Sequence, residues 1–163
     1  MRIYYRADKR IFTPGAEIAT AGEFVSRHPR DGALAESLLD ERKPSMKPKR
    51  NDCLMLFEDE ECAKDHWAKM TGGKLYTVSV AEGAILHRGD MNIVNEIAKK
   101  LIKGECAIEL ADSYWTGTTS GSPCIEVLVS SGTVVEQLGS EAERVAHFKK
   151  MSGISSSKPL LLD

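Results

Sequence analysis

Glu126 stands alone inside an apolar run, Cys-Ile-Glu-Val-Leu-Val over 124–129. A carboxylate among residues that favour burial costs free energy unless it is paired or faces a cleft. Simple alternation is the competing account, with Ile125, Val127 and Val129 inward and Glu126 outward. Arg6 is the second residue of interest. It lies in the strand-like Ile-Tyr-Tyr-Arg-Ala over 3–7, where Tyr4 and Arg6 share a face. The planar donors of an arginine grip oxygen anions at two points. Phe57 and Trp67 flank an acidic turn, and aromatic faces attract a cationic ring as well as packing against it. Tyr114, Trp115 and Gly117 sit in a small, hydroxylated stretch just upstream of Glu126. Such a stretch either touches a partner or holds its aromatics as buried anchors.

The elements that must position these residues follow from periodicity. Residues 2–7 read as a strand. Leu34, Ala35, Leu38 and Leu39 fall at helical spacing within 33–39. Cys53–Phe57 is a continuous apolar run, which predicts a buried central strand. Glu58-Asp59-Glu60-Glu61 then offers a cap and first-turn carboxylates for a helix burying Cys62, Ala63, His66, Trp67 and Met70. Gly72-Gly73 ends it, and residues 74–80 read as a strand. His87-Arg88-Gly89-Asp90 predicts a turn into a second helix capped by Asp90, which runs to Gly104. The stretch 111–123 reads as loop. Strands at 124–130 and 133–138 are expected to form a hairpin across Ser131-Gly132. Ser140 and Glu143 form a capping box for a last helix. The segment 41–50, with two prolines and five basic residues, reads as an exposed loop able to contact an anionic partner.

The chain has 163 residues, 42% hydrophobic and 28% charged, which suits one domain with a real core, over 1–155, and a tail at 156–163. A net charge of −2 gives no general attraction to nucleic acid or membrane. No apolar run approaches a membrane span, and the N-terminus lacks the apolar core of a secretory leader. The four cysteines form no CxxC pair and have no histidine at ligand spacing. They read as reduced thiols of a cytoplasmic protein, with no metal site.

The Arg-bearing first strand, the 53–80 block and the late-strand Glu126, in that order, resemble the catalytic core of ADP-ribosyltransferases of the diphtheria-toxin and poly(ADP-ribose) polymerase type. The resemblance implies an α+β fold of two packed, mainly antiparallel sheets with flanking helices. It implies NAD as substrate and transfer of ADP-ribose to a macromolecular acceptor, a protein rather than nucleic acid, by a small effector or toxin. In that scheme Glu126 and Arg6 are catalytic. Glu126 bonds the nicotinamide ribose and stabilises the oxocarbenium-like charge that develops as nicotinamide leaves. Arg6, Phe57, Trp67 and Tyr76 bind the cofactor, and Tyr114, Trp115 and Gly117 contact the acceptor. Leu56-Phe57-Glu58 stands where the Arg-type branch has Ser-Thr-Ser. Cys124 stands where the arginine-modifying subtype has a second acid, which argues against that subtype. The alternative is a non-catalytic nucleotide- or protein-binding module on the same fold.

Overall fold

The computed structural model describes residues 1–20 and 30–153; the expected tail at 156–163 lies outside them. Among the described residues, seven strands form one sheet: β1 Arg2–Asp8, β2 Glu17–Ile18, β3 Leu54–Phe57, β4 Lys74–Val80, β5 Ile85–Asp90, β6 Ile125–Val129 and β7 Gly132–Leu138. Its order is β2-β7-β4-β1-β3-β6-β5, and every pairing is antiparallel. Five helices among the same residues accompany it: α1 Arg30–Glu41, α2 Glu60–Ala68, α3 Met91–Ile102, α4 Ile108–Trp115 and α5 Glu141–Met151. No helix among the described residues is long and apolar enough to cross a membrane.

The α+β class holds, but the two expected sheets are one. The junction between β1 and β3 is narrow, however: the single register pair is Tyr5↔Phe57, against seven pairs between β1 and β4. Arg6 spans this junction, donating from Nη1 to the Met55 carbonyl at 2.8 Å. The sheet therefore has two halves, β2-β7-β4-β1 and β3-β6-β5, joined at one point.

The helices form where their caps and spacing dictate. Asp59 accepts from Cys62 N at 3.0 Å to start α2, and Ser140 accepts from Glu143 N at 3.2 Å to start α5. The α2 and α3 segments give way to Gly72 and Gly104, whose φ values are 75° and 71°. Helices α1, α3 and α4 pack through Ala35, Leu39, Ile93, Val94, Ile97, Ala111 and Tyr114 against Cys53 and Leu128 of the β3-β6-β5 half. Helix α2 packs Ala63 and Trp67 against Ala7, Phe57 and Leu75. On the sheet's other side, Tyr4, Leu54, Leu56, Tyr76, Val78, Val127, Val129 and Val134 form a third cluster, with Ile18 and Phe12.

Three expected local structures differ. The hairpin across Ser131-Gly132 does not form: β6 pairs with β3 and β5, while β7 pairs with β4 and β2. The strongly apolar β6 takes an interior place flanked on both sides, so the short link to β7 crosses between the halves instead. Residues 85–90 are a strand, not a turn, and Asp90 at its end still caps α3. The 111–123 loop begins within α4, because Ile108, Ala111, Tyr114 and Trp115 recur at helical spacing and bury three of the four.

Candidate functional site

Glu126 is buried, 2% exposed, and faces the helices. Register fixes its neighbours: it is the Cα partner of Phe57 on β3 and of Gly89 on β5. Gly89 is small for a local reason, since a Cβ there would collide with the Tyr114 ring. The space so left lets Tyr114 of α4 reach over the sheet and donate its hydroxyl to Glu126 Oε1 at 2.5 Å.

The centre of the group is Arg50, in a 3-10 turn over Arg50–Asp52 that enters β3. Its Nε donates to both oxygens of Glu36, on α1, at 3.0 and 2.9 Å. Its Nη1 donates to the Tyr114 hydroxyl at 2.6 Å and is ion-paired with Glu126. Its guanidinium carbon lies 5.2 Å from the centre of the Tyr114 ring. One cation is thus held between two carboxylates and a phenol, all shielded from water. Burial works against the charged form of Arg50, but Tyr114 and Glu36 more than offset it and the guanidinium stays charged. Burial pushes the Tyr114 hydroxyl up to about 12, so it remains a donor at neutral pH.

His87 of β5 packs on this assembly at a tilt, with ring centres 5.1 Å from Tyr114 and 4.9 Å from Trp115. Its Nε2 lies 3.2 Å from the Tyr114 carbonyl. Burial, then the positive charge of Lys47, hold its pKa down at about 4. The folded protein therefore keeps His87 neutral at pH values where the unfolded chain, near 6.5, takes up a proton. Stability is full above about pH 6.5 and is lost as the pH falls towards 4. The gap corresponds to at most about 3 kcal/mol. In urea titrations between about pH 7 and 4, His87→Gln should remove that part of the slope; an unchanged slope would assign it to carboxylates.

A cavity of about 280 Å³ opens beside Arg50, lined by Glu36, Asp40, Lys49, Asn51 and Trp115 among others. Lys49 stands at its edge, 60% exposed and 3.8 Å from Asp40. The Trp115 ring forms its apolar wall, fixed by Nε1 donating to the Leu39 carbonyl at 2.8 Å.

The residues singled out in the sequence are only partly brought together. Glu126 and Phe57 share a face, and Phe57 packs with Trp67 in one buried cluster. Trp67 is fixed by donating Nε1 to the Gly73 carbonyl at 3.0 Å. Arg6 does not join them. Its neighbour Tyr5 shares the face of Phe57 and Glu126 by register, so Arg6 points to the opposite face, where its Nε meets Asp8 at 3.0 Å. Tyr76 also lies on that other side. It is fully buried, accepting from Phe12 N and donating to the Arg10 carbonyl, both at 3.1 Å. Tyr114 and Trp115 are buried anchors rather than exposed acceptor contacts; Gly117 alone of the three is exposed.

Sequence reasoning missed Glu36 and Arg50. The basic 41–50 segment is not a free loop: Arg42 forms a two-point pair with Asp112 at 2.8 Å, and Lys43 Nζ donates to the Lys47 carbonyl at 2.7 Å. A unit charge buried at Glu126 demands an opposite charge, and Arg50, close to an apolar strand, is the basic residue of that segment adjoining the core. Among the described residues no three metal-ligating side chains converge. Comparison of the sequence with protein-family models and with curated proteins finds no match.

Proposed function

We propose that this domain binds a nucleotide-like small ligand without turning it over, on a scaffold resembling that of the ADP-ribosyltransferases. One observation carries this reading: the Glu126 carboxylate is already committed to Arg50 and Tyr114, on the face of the sheet away from Arg6. A transition-state stabiliser must be free to meet charge that develops on a substrate. The cavity beside Arg50 supplies a ligand site. Its size lies just below the range of small-molecule pockets, roughly 300–1,000 Å³, which suits one base or ring rather than a whole dinucleotide. Trp115 offers an aromatic wall and Asn51, Glu36 and Asp40 offer polar edges. Lys49 stands where a phosphate would leave the mouth.

The transferase reading keeps one supporting observation, that Glu126 is inward and directly opposite Phe57, beside the narrow β1–β3 junction. It would use Glu126 and Arg6 on NAD, with a protein acceptor. One set of measurements separates the two. Titration calorimetry with NAD, ADP and adenosine should give binding that Ser37→Trp, which fills the cavity, abolishes while the fold persists. Nicotinamide release from NAD should not exceed the protein-free rate. Release that Glu126→Gln removes would establish the transferase, and failure of all three ligands to bind would remove the binding reading.

A further inference from the structure

Cys62 and Cys124 lie 62 positions apart in the chain, yet the fold seats them together. Register carries β3 past Phe57↔Glu126, and Glu58 N then donates to the Ile125 carbonyl at 3.0 Å. The chain turns at once into α2, whose first turn bears Cys62, its N–H held by Asp59. Cys124 immediately precedes β6 and is fixed from both sides. Its N–H donates to Asp90 at 3.1 Å, and its carbonyl accepts from Met91 N at 2.8 Å. Both side chains pack against the cluster of Phe57, Ala63 and Trp67, and both are half-buried, so a small oxidant can reach them. Each thiol is the principal side-chain influence on the other's proton. The remaining two cysteines are placed differently: Cys53 is buried with its thiol on the Lys49 carbonyl, and Cys106 is exposed.

We propose that Cys62 and Cys124 form a reversible disulfide clasp that ties the start of α2 to the start of β6 when the protein meets a peroxide. The Cys62 thiolate attacks one peroxide oxygen, the O–O bond breaks, and the sulfenic acid of Cys62 forms with release of water. The Cys124 sulfur then attacks the Cys62 sulfur. The new S–S bond forms as the S–O bond breaks, and a second water leaves. The two thiols lose two electrons and two protons, and one peroxide becomes two waters. Cys62 is the attacking group because burial raises both thiols, while the contact between them lowers Cys62 and raises Cys124 further. The first step is accordingly slow at neutral pH and accelerates about tenfold per pH unit, since only the thiolate reacts.

The test uses the full chain treated with hydrogen peroxide. Intact mass should fall by the two hydrogens lost, and a protease digest without reductant should contain a peptide joining the Cys62 and Cys124 segments. Dithiothreitol should restore the original mass. The oxidised protein should melt about 5 °C or more above the reduced one, because the link closes a long loop in the unfolded chain. Cys106→Ser should change none of this, whereas Cys124→Ser should abolish the linked peptide and leave Cys62 as sulfenic acid, trapped by dimedone. Oxidation confined to Cys106, or to sulfinic acids with no peptide linking Cys62 to Cys124, would overturn the proposal. So would a linked form that melts below the reduced protein.

Discussion

Arg50→Met should destabilise the protein by about 3–5 kcal/mol, a large share of the roughly 5–15 kcal/mol that holds a domain together. The substitution keeps most of the side chain's volume, so the effect is electrostatic. Removing the one cation leaves the Glu36 and Glu126 carboxylates buried without a counter-charge and takes the donor from the Tyr114 hydroxyl. The network is not itself a large source of net stability, because desolvating its members costs about what their attraction returns. This yields a second result. Glu36→Leu, Arg50→Met and Glu126→Leu combined should recover most of the loss, since the triple variant buries no charge at this site. Urea unfolding of the wild type, the single and the triple variants measures both. A triple variant less stable than Arg50→Met alone would mean that the network shapes the packing rather than merely neutralising itself.

Asp90→Ala should cost about 3 kcal/mol, combining a lost helix cap with buried donors left unpaired. Asp90 is fully buried and uses both oxygens. Oδ1 accepts from Asn92 N at 2.9 Å and Cys124 N at 3.1 Å, while Oδ2 accepts from Ser120 N and Ser120 Oγ at 2.7 Å. Burial would raise its pKa, but these bonds, led by that of Ser120, hold the carboxyl below its usual value. One side chain thus caps α3 and anchors the 116–124 segment, which Asn92 also grips through the Ser122 carbonyl at 2.6 Å. Asp90→Asn should do little better than alanine, because its amide nitrogen would face two donors. Protease cutting within 116–123 should rise in step with the loss of urea midpoint. A variant that unfolds at the wild-type midpoint would show that α3 is held by its apolar face alone.

The caps and the apolar periods are legible in the sequence because each is local. Asp59, Asp90 and Ser140 start the helices expected of them, and Leu54–Phe57 and Lys74–Val80 are strands where continuous or alternating apolar residues demand them. What stays hidden depends on pairing at a distance. The sequence Val-Leu-Val-Ser-Ser-Gly-Thr-Val-Val carries every local mark of a hairpin, yet β6 pairs with β3 and β5, and β7 with β4 and β2. Glu126 is recognisable as a carboxylate in need of a partner; which partner depends on a turn 76 positions earlier. The residue type of Arg6 suits a cleft, but its facing is decided by a register pair one residue away.

The single pair joining the halves of the sheet also bears on how the chain reaches this structure. In chain order, β1 and β2 belong to one half, β3 to the other, β4 to the first, β5 and β6 to the second, and β7 to the first. Neither half is a contiguous stretch, so the two are assembled from interleaved segments. Although its seam is narrow, the domain should therefore refold in one concerted step. That step should be slow for its size, in milliseconds to seconds, because nearly every strand pairing closes a long loop. A fragment ending before β6 would lack the central strand of one half and the β7 partner of β4 in the other, and should not hold structure while still being synthesised.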